Sequence, residues 1–97
     1  MNPKLKSEQL DRLFEAILTL SSVDECYDFF EDLCTVSELK AFPQRFQVAE
    51  LLNEGRVYNE IVRTTGASTA TISRVGRALN FGTNGYKTII DKMKEAE

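Results

Sequence analysis

Residues 58–79 constrain the fold of this chain more tightly than any other segment. Two short runs with apolar residues at helical spacing, 58–64 and 69–79, are separated by Thr65-Gly66-Ala67, which leaves room only for a tight corner. Gly66 lies where such a corner needs a left-handed backbone, and Ser68 is a favourable N-cap for the run that follows. The pattern predicts a helix-turn-helix at about 57–79. Ile61, Val62, Ile72, Val75 and Leu79 then fall on inward faces, and Ser68, Thr69, Ala70, Ser73, Arg74 and Arg77 face outward.

The remainder reads as helix as well. Leu10, Leu13, Phe14, Ile17 and Leu18 recur every three or four residues after a polar start, residues 1–7, expected to fray. Ser22 with Glu25 has the form of a capping box, and the helix it opens carries an apolar stripe of Val23, Cys26, Tyr27, Phe30, Leu33 and Cys34. Thr35 with Glu38 repeats the signal and opens a run to residue 52, with Leu39, Phe42, Phe46 and Ala49 on one side. Pro43 predicts a kink or restart near residues 41–43, and Asn53-Glu54-Gly55 supplies a glycine stop. Residues 80–85 read as a loop, and Tyr86, Ile89, Ile90 and Met93 as a final short helix. No strand alternation persists, so the expected class is all-α, in one domain over residues 1–97.

Charge is divided unevenly. The net charge is −3, but residues 1–55 carry five Lys or Arg against eleven Asp or Glu, whereas residues 56–97 carry seven against four. An acidic half is joined to a basic one. Cys26 and Cys34 lie in an apolar helical pattern, as buried free thiols in a reducing compartment would. With no membrane-span or signal-peptide pattern, the expected location is the cytoplasm. A core this small also favours a partner subunit.

The run Thr64 to Arg74, TTGASTATISR, is crowded with small hydroxyl and methyl side chains. The N-terminal end of a recognition helix has to enter the major groove and bring its backbone close to base edges, which bulky residues would obstruct. Ser and Thr can bond to bases or phosphates, the methyls of Ala and Thr can touch thymine methyls, and Arg can reach guanine or a phosphate. Arg56, Arg63, Arg74, Arg77 and Lys87 supply the positive footprint. The plainer reading, a surface turn on a small bundle, explains the corner and cap but not the agreement of corner, small tip and arginines.

On these residues the sequence resembles the Trp repressor superfamily, most closely its Trp repressor-related branch. The similarity runs from about residue 29 to 79. It is carried by the segment after Thr35, LxxxxxRFQVAELLNEG in form from Leu39, and by GASTATISR from Gly66 followed by Arg77-Ala78-Leu79. The resemblance implies an intertwined homodimer of about six helices per chain, presenting two helix-turn-helix units to successive major grooves of double-stranded DNA. It implies base contacts from Ser68, Thr69, Ala70 and Ser73, with Asn59, Arg63 and Arg77 toward the DNA backbone. The role of repressor comes from the resemblance alone.

The same resemblance places Thr35, Arg45, Thr71 and Arg74 at or near a co-repressor pocket, in which the two arginines would hold a carboxylate and sandwich an indole. Val75 stands where the tryptophan-binding relatives have glycine, Ala78 where they have serine, and Asp32 and Cys34 where they have leucines. A small-molecule co-repressor is compatible with the retained arginines. Loss of bare backbone, loss of a hydroxyl and a carboxylate in an apolar wall argue against tryptophan. Without a ligand, Arg45 is a solvated or ion-paired residue and Arg74 a phosphate contact.

Two other classes compete. The chain has no histidine, no glycine-rich phosphate loop and no CxxC, which argues against an enzyme and against a metal site. Asp24, Asp28 and Asp32 form a carboxylate stripe, but no second acidic helix would close a site around an ion. The stronger rival is a protein interaction module that uses the acidic half, with the helix-turn-helix as scaffold.

Overall fold

A computed structural model describes all residues, Met1–Glu97, as six α-helices without strands. They are α1 (Glu8–Ile17), α2 (Val23–Leu33), α3 (Val36–Asn53), α4 (Tyr58–Thr65), α5 (Thr69–Phe81) and α6 (Gly85–Ala96). The chain packs as two compact units, Met1–Leu39 and Lys40–Glu97. By sequence the first carries three basic against nine acidic residues and the second nine against six, so charge changes sign between them.

In the first unit the segment expected to fray forms a single 3₁₀ turn, Pro3–Leu5, capped by the Asn2 side chain at the amide of Lys4 (3.0 Å). The pre-set φ of Pro3 at the first position favours that turn. Ser7 caps α1, its Oγ accepting from the Leu10 amide at 3.0 Å. Ser22 caps α2 by accepting from the Glu25 amide (3.1 Å), while the Glu25 carboxylate reaches one residue farther back and accepts from the amide (2.9 Å) and hydroxyl (3.0 Å) of Ser21. Thr35 and Glu38 close the reciprocal box: the Glu38 amide donates to Thr35 Oγ1 (3.2 Å) and the Thr35 amide to Glu38 Oε1 (2.9 Å). Bonds to the Ser21 and Thr35 amides hold both glutamates below the usual carboxylate range.

No residue of this unit is buried. Val23, Tyr27 and Leu33, members of the α2 stripe, keep 72%, 66% and 48% of their surface. The expected burial of both thiols is therefore corrected: Cys26 is exposed and Cys34 only half-buried. Periodicity assigned the stripe to one helix face, but the chain covers that face only in part, leaving Val23, Cys26 and Tyr27 exposed and Phe30 and Cys34 half-buried.

α3 runs unbroken through Pro43, so the expected restart does not occur. The ring removes one donor, that to the Leu39 carbonyl, but both ends of the helix are closed. The capping box holds the start. At the end the amides of Gly55 and Arg56 donate to the carbonyls of Leu52 (3.0 Å) and Leu51 (3.1 Å), with Gly55 at φ +84°. That is a Schellman arrangement, with glycine in the left-handed position it requires.

The core lies in the second unit. Val48 and Ala49 of α3 join Ile61, Ala67, Ile72, Val75 and Ile90 in one buried cluster, flanked by Phe46, Leu51, Leu52, Val62 and Tyr86. Ile61, Ile72 and Val48 are wholly enclosed, and each such side chain contributes about 1.5–3 kcal/mol by leaving water. The inward positions expected from spacing are found as such, Val62 half-buried and the other four buried. Val48 and Ala67 are additions, because apolar residues surround the second half of α3 and Ala67 sits in the corner rather than on a helix stripe. The expected loop at 80–85 shrinks to residues 82–84, since α5 continues through Asn80 and Phe81 and α6 begins at Gly85. Asn84 makes the reversal in the left-handed region, φ +66°, where asparagine is among the few tolerated side chains.

Candidate nucleic-acid interface

α4 and α5 meet at the corner expected from sequence. α4 ends at Thr65, Gly66 takes φ +71°, and its amide donates to the Val62 carbonyl at 2.9 Å. Thr65 Oγ1 donates to the Ile61 carbonyl (2.7 Å) and accepts from the Ala67 amide (3.1 Å), bridging the helix end and the turn. Gln44 Nε2, on α3, donates to the Thr65 carbonyl at 3.2 Å. Ala67 buries its methyl, which anchors the turn in the core.

Ser68 then starts α5, its Oγ accepting from the Thr71 amide (3.1 Å) and its hydroxyl donating to Thr71 Oγ1 (3.1 Å). Of the hydroxyls assigned to base contact, this one is already engaged in the cap. Thr69, Ala70 and Ser73 are exposed, as are Asn59, Arg63, Arg74 and Arg77. Ile72, Val75, Gly76 and Leu79 point the other way, into protein. The helix thus separates a dry inner face from a small, polar and cationic outer one. Its first turn contains no acidic side chain, leaving the positive end of the helix dipole open to a phosphate.

The cations of this unit are not equivalent. Arg56 pairs with Glu60 (2.8 Å) and Glu54 (3.4 Å), and its bond to Glu54 with the charge of Glu60 raises its pKa. Its charge is thereby partly offset within the footprint expected from sequence. Arg63, Arg74, Arg77 and Lys87 form no ion pair and remain exposed. Charge counting finds all five but cannot tell which are neutralised, because the Arg56 pair depends on the turn after Gly55.

The residues assigned to an effector pocket have other partners here. The Arg45 guanidinium lies over the Phe42 ring, 5.8 Å from its centroid. Thr71 Oγ1 is bound to the Ser68 hydroxyl, and Thr35 Oγ1 caps α3. Val75 is packed in the core at 3% exposure, whereas Arg74 and Ala78 are exposed. These are local structural roles. No three acidic, cysteine or histidine side chains are grouped so as to hold a metal ion.

In the first unit, α1 and α2 line an open groove of about 780 Å³, with Leu13, Ala16, Phe29 and Leu33 on its walls. No helix is long and apolar enough to cross a membrane.

The sequence profile described as Trp repressor protein matches residues 8–94. YerC of Bacillus subtilis, described as an uncharacterized protein, is 51% identical over 94 residues, which cover 97% of this chain and 90% of that one. A crystal structure of a TrpR-like protein from Eubacterium eligens superposes with a TM-score of 0.92 at 52% identity, covering 96% of both chains. That of a Trp repressor candidate from Staphylococcus aureus gives 0.91 at 52% identity, over 94% of this chain and 91% of the other.

Proposed function

The chain belongs to the Trp repressor family, and from that premise we propose that it is a sequence-specific regulator of transcription, a repressor, that binds double-stranded DNA as a homodimer in the cytoplasm. The observation that carries this reading is the outer face of α5: small side chains at its exposed N-terminal end, followed by unpaired Arg74 and Arg77, on a helix whose inner face is packed in the core. Thr69, Ala70 and Ser73 read bases. Ser68 shapes the helix start and offers its neighbourhood to a phosphate, and Asn59, Arg63, Arg74 and Arg77 hold the DNA backbone.

Homodimerisation is the proposed cover for the α2 stripe and the groove beside it, since a unit without a single buried residue does not bury enough apolar surface to hold itself together. A second copy also doubles the number of recognition helices. The reading requires no cofactor and no catalysis. Tryptophan is not its expected ligand, because Arg45 lies over Phe42 and the resemblance aligns Val75 with a glycine of the tryptophan-binding relatives.

The exposed acidic unit favours one other reading, a protein interaction module. Selection of the purified protein against random duplex DNA, with and without L-tryptophan, separates the two. A two-fold symmetric site enriched in both arms is expected. Enrichment in neither arm overturns the regulator in favour of the module, and enrichment only with tryptophan restores the co-repressor pocket.

A further inference from the structure

We propose that Gln44 is a positioning residue for the recognition helix, acting through the Thr65 carbonyl; the inference rests on the DNA-binding reading above. Its bond to Thr65 links residues 21 apart in sequence. Among the other side-chain hydrogen bonds the widest separation is five residues, that of Lys6 with Asp11. Gln44 is therefore the single side chain that ties the helix-turn-helix corner to another helix by a directional bond.

The geometry says what the bond sets. Thr65 is the last residue of α4, so its carbonyl has no partner within the helix. Gln44 supplies the missing donor from α3. The same threonine is gripped from within, its hydroxyl donating to Ile61 and accepting from Ala67, whose methyl is 2% exposed. Three residues after Thr65 comes Ser68, the N-cap of α5. The anchor itself is firm: Gln44 lies one helical turn before Val48, which is fully buried. The corner is held at both its carbonyl and its hydroxyl, and that fixes where the first turn of α5 emerges.

Base readout and phosphate attraction respond differently to a shift of that turn. Hydrogen bonds to base edges need distance and angle, whereas the charge of Arg63, Arg74 and Arg77 acts over the wider range of the ionic atmosphere. Loss of Gln44 should consequently weaken the selected site and spare unselected DNA.

The test uses full-length Gln44→Met, which keeps the length and loses the donor, and Gln44→Lys, which keeps a donor at similar reach. For Gln44→Met, affinity for the selected duplex is expected to fall about three- to tenfold, the scale of one hydrogen bond. Affinity for scrambled duplex and the salt slope stay at their wild-type values, the melting temperature falls by no more than the few degrees one hydrogen bond carries, and amide exchange at Ala67 and Ser68 quickens. Gln44→Lys restores the discrimination. Equal affinities for wild type and Gln44→Met overturn the inference, as does a fall in both affinities that tracks the melting temperature. Wild-type protein that selects no duplex overturns the DNA-binding reading itself, a result distinct from either.

Discussion

The Arg45 guanidinium sits 5.8 Å from the centroid of the Phe42 ring, three residues earlier on α3. Such a contact contributes about 0.5–1 kcal/mol at an exposed site, and a ligand that needs Arg45 has to displace it. With Val75 and Ala78 also standing where the resemblance puts glycine and serine in the tryptophan-binding relatives, L-tryptophan is expected to change the dissociation constant for the selected duplex by less than about twofold. Because the chain contains no tryptophan, the ligand's own indole fluorescence reports binding without background. Saturable quenching or polarisation with micromolar affinity would refute this.

Arg74 and Arg77 are exposed and unpaired, so their removal leaves the fold alone while stripping charge from the outer face of α5. The double substitution Arg74→Ala, Arg77→Ala is expected to weaken binding to any duplex. In a dimer it should make the plot of log K against log salt shallower by about 2 to 4, near 0.9 for each lost phosphate contact. Thermal unfolding should be unchanged. Wild-type affinity in the double variant would return the helix-turn-helix to a scaffold.

Ser68 closes α5 with an oxygen 3.1 Å from the Thr71 amide. Ser68→Ala should cost about 1 kcal/mol, equivalent to roughly 4–8 °C in a domain this size. Melting both proteins at matched concentration checks it, because a dimer's transition depends on concentration. Ser68→Asp, which keeps an N-cap oxygen, should recover the stability but repel phosphate and lower DNA affinity.

Ile61 and Ile72 are both at zero exposure and belong to the same cluster. Truncation of either to alanine is expected to cost about 2–5 kcal/mol, a large part of the stability of a small domain. Chemical denaturation should show it as a lower midpoint with an unchanged slope. Cys26→Ser, on an exposed position, should leave the midpoint of the isolated chain in place.

Glu25 and Glu38 are held below the usual carboxylate range by bonds from Ser21 and Thr35. Each has a lower pKa folded than unfolded. Its contribution is therefore fully present above the ordinary glutamate value of about 4.3 and is lost as pH falls through the depressed folded value. Stability should decline with acidification below about pH 4.5, and Glu25→Gln with Glu38→Gln should flatten that limb. Urea melts at pH 3, 4, 5 and 7 test the sign.

The local rules were readable because each needs only a few neighbouring residues. Ser22, Thr35 and Ser68 name helix starts by chemistry that reaches three residues ahead, and Gly55 and Gly66 name ends by a backbone angle that side chains resist. The three- and four-residue spacing of Ile72, Val75 and Leu79 identified the inner face of α5 correctly. Of the kink or restart that Pro43 suggested, the restart does not occur, since one missing donor in mid-helix does not break a helix closed at both ends.

The sequence by itself determined the helices, their order, the corner at Gly66 and the small, cationic surface beyond it, because caps, periodicity and glycine geometry act within one or two turns of chain. Only tertiary structure decided which faces are covered: it buried Val48 and Ala67, left Cys26 and much of the α2 stripe exposed, and set Gln44 against Thr65. Those outcomes depend on contacts between segments folded back on one another, where distance in space no longer follows distance along the chain.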